Sequence, residues 1–222
     1  MATKKETVKK ELMNDNTIVA LYMDSVLTHH AEPKSIYLFC KENKIIESDF
    51  YNSYGSIEAL KEDIWIKIYK NTAANLTADD KFEAYTNRNK LLSLYFTMFE
   101  VMTLNRSYIY FTLKENKNGL KNLKQLKGLR ALFKGFINQI IDEDEDLKNE
   151  QIQRITKPLY AEGAWIQFMF LLKFWLDDTS KGFEKTDIMI EKSVKAVLDV
   201  LDTTPLESLI DLGKFIYKER FN

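Results

Sequence analysis

A chain of 222 residues, 45% of them hydrophobic, holds enough apolar material for a sizeable core and is long enough for one large or two small domains. Seven glycines and three prolines are too few for a turn-rich β fold and point to long helices instead. A net charge of -1 excludes a global field drawing in nucleic acid or anionic membrane, and a single cysteine, Cys40, excludes an internal disulfide framework or a cysteine zinc site.

The opening segment MATKKETVKKELMNDN is charged and lacks the apolar run of a signal peptide. Nothing reaches the roughly 18 apolar residues of a membrane span. The nearest stretch, Ala164 to Leu176, is interrupted by Gln167 and Lys173. The expectation is a reduced, cytoplasmic, all-α protein.

In chain order, a first helix is predicted from Asn16 to His30. Ile36, Phe39 and Cys40 then fall at i, i+3 and i+4, one face of a short helix capped by Ser35. Asn43 and Lys44 break that period, and either is a candidate for the left-handed residue of a tight helix-helix turn that Ile45 plugs. Phe50, Tyr51 and Tyr54 form the apolar face of a second short helix. Gly55 and Ser56 end it and cap a third that runs to about Thr72.

Asn71 to Asp80 reads as a linker whose Thr77-Ala78-Asp79-Asp80 caps the next helix, Phe82 to Leu104. A short aromatic helix follows from Asn105 to Lys114, and Asn116 to Gly119 breaks it. Leu120 to Ile141 keeps the 3.6 period through Leu129, Phe133, Phe136 and Ile140, with basic residues such as Lys127, Arg130 and Lys134 on a solvated face. The acidic run Asp142 to Asp146 reads as a solvated loop. Helices are then predicted over Asn149 to Asp177, Thr186 to Leu201 and Pro205 to Phe221, the last capped by Thr204.

The order of residue types from Lys34 to Leu60 resembles the DNA-binding end of the tetracycline-repressor (TetR) family. Ser35 and Ile36 match the family's opening pair, Phe39 and Cys40 its Ile-Ala positions, and Ile45 its turn. Phe50, Tyr51 and Tyr54 match its Leu, Tyr and Phe, while Gly55, Ser56, Glu58, Ala59 and Leu60 match its closing segment. Upstream, Ile18 to Leu27 resembles the family's first helix. Four positions depart from the pattern: Lys44 replaces the turn glycine, Ile57 replaces a phosphate-contacting lysine, and Glu47 and Asp49 place acid on the second helix.

The resemblance implies an N-terminal three-helix helix-turn-helix module over residues 1–72 and a larger helical effector-binding and dimerisation domain over 73–222. DNA contact would fall to Lys34, Ser35, Lys44, Glu47, Ser48, Tyr51, Asn52 and Ser53. A pocket for a small apolar effector would be lined by Tyr95, Phe99, Met102, Tyr108, Trp165 and Phe168, with polar handles such as Asn87, Arg88, Asn105, Arg106 and Gln167. A homodimer interface would use Ile190, Val194, Val197, Leu206, Leu209 and Ile216 of the closing helices. The implied partners are an operator duplex, the effector and a second copy of the chain.

Residues 1–75 hold ten lysines, no arginine and eleven acids, a poor electrostatic match to DNA. That balance keeps open a second reading, a TetR-fold carrier of small molecules or lipids that has lost DNA binding. Neither a Ser/His/Asp grouping nor a glycine-rich phosphate loop is present, so catalysis and cofactors are not expected. Adjacent His29 and His30 lack the i, i+4 spacing for one metal.

Overall fold

A computed structural model describes residues 14–114, 122–142 and 150–203. Among the described residues there are nine α-helices and no strand, as the composition led one to expect. They are α1 (Asp15–His29), α2 (Ile36–Glu42), α3 (Glu47–Ser53), α4 (Ile57–Thr77), α5 (Asn87–Thr103), α6 (Arg106–Lys114), α7 (Lys127–Asp142), α8 (Glu150–Asp177) and α9 (Glu184–Thr203). The predicted last helix from Pro205, the break at 116–119 and the acidic run from 143 lie outside the described residues.

Packing divides the chain into two units. The first joins the described residues up to Ile64 to Ser107–Gln125; the second joins Trp65–Arg106 to the residues from Leu126 onward. The division thus falls inside α4, and most of α6 belongs with the N-terminal helices.

The first unit is closed by rings at helical spacing. Phe39 of α2 meets Tyr22 of α1 at 5.8 Å and Phe50 of α3 at 6.1 Å between centroids, both edge-on. Ile18, Val26, Cys40, Ile45, Leu60 and Ile64 complete this core. The Tyr54 hydroxyl donates to Asp63 at 2.7 Å, tying the end of α3 to α4, and Lys61 pairs with Glu32.

In the second unit α7 packs on α8, and α9 packs on α5 and α8. Its core runs through Leu94, Tyr95, Met98, Phe99, Met102, Phe133, Phe168, Leu172, Trp175, Ile190 and Val194. Edge pairing supports the α7–α8 contact, where Arg130 and Lys134 both hold Glu162, the former through two oxygens at 2.7 and 2.8 Å. Two of the cations expected on a merely solvated face are therefore paired, and those bonds hold the Glu162 carboxyl below its ordinary range.

Predicted boundaries are corrected at three places. The helix expected from Phe82 starts at Asn87, and the helix expected from Leu120 gives way to a 3-10 turn over Leu123–Leu126 before α7 begins at Lys127. The 71–80 linker is shorter than expected. The linker expected over 71–80 is helical as far as Thr77, because Thr72 and Leu76 extend the buried i, i+4 stripe of Leu60, Ile64 and Ile68. Thr72 and Thr77 hydroxyls satisfy themselves on the carbonyls of Ile68 and Ala73, so neither interrupts the helix. The chain then turns through Asp79, whose carboxylate accepts from the Lys81 amide and the Tyr85 hydroxyl. The cap of the next helix is Thr86, not the Thr77 segment.

Candidate DNA-binding head and aromatic core

The turn between α2 and α3 is built from the backbone upward. Ser35 caps α2 by accepting from the Leu38 amide at 3.2 Å, and Asn43 ends it. Lys44 takes the left-handed conformation, with φ +56°, while the Ile45 amide reaches back to the Cys40 carbonyl at 2.8 Å and the Lys44 amide to Lys41. This is a Schellman ending, here with a lysine at the position glycine usually holds. Ile45, one residue on, is buried. Burial, then the nearby Glu47 charge, pushes the Cys40 thiol up, so it serves the core rather than chemistry.

Chain reversal at Lys44 sets α3 with Phe50 and Tyr54 inward and Ser48, Tyr51 and Asn52 outward. Those three lie at i, i+3 and i+4, one exposed arc. Of the other predicted DNA contacts, Lys34, Ser35 and Lys44 are exposed at the start of α2 and in the turn, while Glu47 and Ser53 of α3 are half-buried. Tyr51 keeps 51% of its surface exposed although its ring edge rests on Phe50 at 5.7 Å. Lys34, Lys41 and Lys44 balance Glu42, Glu47 and Asp49 across the helix-turn-helix, leaving it neutral.

Five of the six predicted pocket residues come together in the second unit. Phe133 of α7 stands at the centre, 5.4 Å from Phe168, 5.7 Å from Trp165 and 6.0 Å from Tyr95. Phe99 extends the cluster to Phe168 and Trp175, and Met102 is fully buried on the same helix as Phe99. Tyr108 is placed elsewhere: it belongs to the first unit, 6.3 Å from Tyr22. Phe133 was visible in the sequence only as a core position, since nothing in a helical period says which apolar residue will be central.

A polar thread enters this core. The Tyr95 hydroxyl lies 3.1 Å from the Ala164 carbonyl and 3.2 Å from Gln167 Oε1, and Gln167 donates through Nε2 to Ser193 at 3.0 Å. Of the suggested handles, Gln167 reaches Tyr95 at the heart of the cluster and Arg106 reaches its Trp175 edge. Asn105 donates to the Val101 carbonyl. Arg106 closes the end of α8, donating to the carbonyls of Trp175, Leu176 and Asp178.

The Arg106 guanidinium also lies between the rings of Trp175 at 4.4 Å and Phe183 at 4.2 Å. Phe183 and Gly182 both have positive φ, +62° and +64°, and the stacking on Arg106 helps hold the phenylalanine in that conformation. Nearby, the Asp178 carboxylate accepts from the amide and hydroxyl of Ser180 and of Thr186. Burial raises its pKa, but those four bonds prevail and bring it down to about 2.

The closing helices differ from the expected interface. Ile190 and Val194 are fully buried in the chain's own core, where α9 meets α5 and α8, so their side chains are occupied within a single copy. Val197 is exposed, and Leu206, Leu209 and Ile216 lie outside the described residues. An apolar stripe faces outward on α8 instead. Leu159, Ile166 and Phe170 are exposed, the last two at 66% and 54%, and the equally exposed Gly163 falls between them at i, i+4, i+7, i+11.

Residues 90–216 match the family model described as tetracyclin repressor-like, C-terminal domain, which covers more than half of the chain. The chain belongs to the TetR family. No curated protein matches it. In this TetR-family protein the helix-turn-helix precedes the matched span, so its description rests on its own cap, turn and packing. Among the described residues no helix is long and apolar enough to cross a membrane.

Proposed function

We propose that this protein is a DNA-binding transcriptional regulator of the TetR family, acting as a homodimer and controlled by a small apolar effector. The reading head lies in residues 1–72, and effector binding and dimerisation belong to 73–222. The observation that carries the reading is the Schellman turn at Lys44, which leaves Ser48, Tyr51 and Asn52 as a solvent-facing arc on α3, with Lys34, Ser35 and Lys44 also exposed. Such an arc on a second helix suits the major groove, while the cations and the Ser35 and Tyr51 hydroxyls suit phosphate.

A dimer presents two heads to successive major grooves, and an effector that favours a different head spacing lowers operator affinity. The helix α4 runs through the division between the units and is a continuous covalent route for that coupling. The described apolar stripe of α8 replaces Ile190 and Val194 as the proposed seat of the second subunit.

The test is binding of the purified chain to fluorescent duplexes tiled across its own upstream region at two salt concentrations. Selective binding with a salt-dependent affinity is expected. Uniform weak binding would instead favour the second reading, a fold-retaining carrier of small apolar molecules or lipids, which the charge balance of the head supports. Native mass spectrometry would then look for an apolar ligand carried through purification.

A further inference from the structure

The exposed arc of α3 offers little for reading bases. Ser48 has a single hydroxyl, which bonds any base edge, and Tyr51 is a phenol on a ring already leaning on Phe50. Glu47 and Asp49 are half-buried. Asn52 is as exposed as Ser48 and Tyr51 but differs from both in chemistry, being the one carboxamide on the arc. An asparagine amide presents one donor and one acceptor in a fixed plane, the complement of the N7 acceptor and N6 amino donor of adenine. Guanine is most often read by a two-pronged arginine or lysine. The first 75 residues contain no arginine, and α3 contains no lysine.

From this composition and placement we infer that Asn52 is the specificity-determining residue of the head and that it selects an adenine in each operator half-site. This rests on the regulator reading. Ser48 lies one turn earlier on the same arc and supplies a position-tolerant bond. The exposed Lys34 and Lys44 hold phosphate and carry no sequence information.

The experiment selects preferred duplexes from a random library with the full chain. Each adenine of the selected half-site is then replaced by 7-deaza-adenine, which removes the N7 acceptor and keeps the pairing edge. The wild-type protein is expected to lose about tenfold in affinity at one adenine per half-site, the lower range for a two-pronged contact. Asn52→Ala should bind the unmodified duplex about tenfold more weakly and be indifferent to the replacement at that adenine alone. Because Asn52 is exposed, the variant's thermal melt should match the wild type, which separates lost contact from lost fold. Selective binding without a sensitive adenine, or sensitivity retained in Asn52→Ala, overturns the assignment and leaves the regulator reading standing. If no duplex is selected at all, both fall together.

Discussion

At the scale of single residues, Lys44 carries two opposed expectations, one for the fold and one for the proposed operator contact. A left-handed backbone costs a non-glycine residue about 1–2 kcal/mol, and a glycine there would give back up to about 1 kcal/mol in chain entropy. Lys44→Gly should therefore stabilise the protein by about 0.5–1 kcal/mol, seen as a raised melting temperature. The same change removes an ammonium from the exposed turn. Operator affinity should fall, and the slope of log affinity against log salt should flatten by about one charge per head. A variant that melted lower would show that the Lys44 side chain contributes to the fold itself.

Asp178 supplies the pH counterpart. Its folded pKa, about 2, lies below that of an unfolded aspartate near 3.9, so its contribution is fully present above about pH 4 and fades as pH falls through about 2. Asp178→Asn keeps the shape but loses charge-assisted acceptance from Ser180 and Thr186. The variant should be less stable than wild type at neutral pH, and the gap in denaturation midpoint should close between about pH 4 and pH 2. A gap constant across that range would mean that the turn does not distinguish carboxylate from amide. Neither effect is legible in the chain, where Asp178 falls between two predicted helices and the four bonds depend on where α9 starts.

Among elements, helix existence followed directly from periodicity, and the helix-turn-helix boundaries from Ser35, Lys44 and Tyr54. What periodicity could not supply was the partner of each face. Ile190 and Val194 have the spacing of an interface and equally the spacing of a core, and only the packing of α9 on α5 and α8 separates the two. The linker at 71–80 failed for a related reason: its threonines looked like loop residues, but in a helix their hydroxyls bond the preceding turn. On α8 the outward stripe makes a distinct prediction. Ile166→Glu and Phe170→Glu should each convert a dimer to a monomer in sedimentation while leaving the melting of the monomer close to wild type. Ile190→Ala should do the reverse, costing about 2–5 kcal/mol of stability without selective loss of the dimer. Dimers persisting in both glutamate variants would move the interface away from α8.

For the molecule as a whole, the packing of the aromatic core bears on the proposed regulation. Ring centroids from Tyr95 through Phe133, Trp165 and Phe168 lie 5.3–6.0 Å apart, which is direct ring contact. A planar apolar ligand entering there must displace rings, and the rearrangement is what would reach the head. Linkage then ties the two sites quantitatively: whatever factor the ligand removes from operator affinity, the operator must remove from ligand affinity. Trp165 and Trp175, both inside the cluster, provide the signal. Titrating N-phenyl-1-naphthylamine as a planar apolar probe, with and without saturating operator duplex, should give the same factor, on the order of 5–150, as titrating operator with and without probe. A fold-retaining carrier without DNA binding would bind the probe equally well with and without the duplex, and would show no operator affinity for the probe to shift.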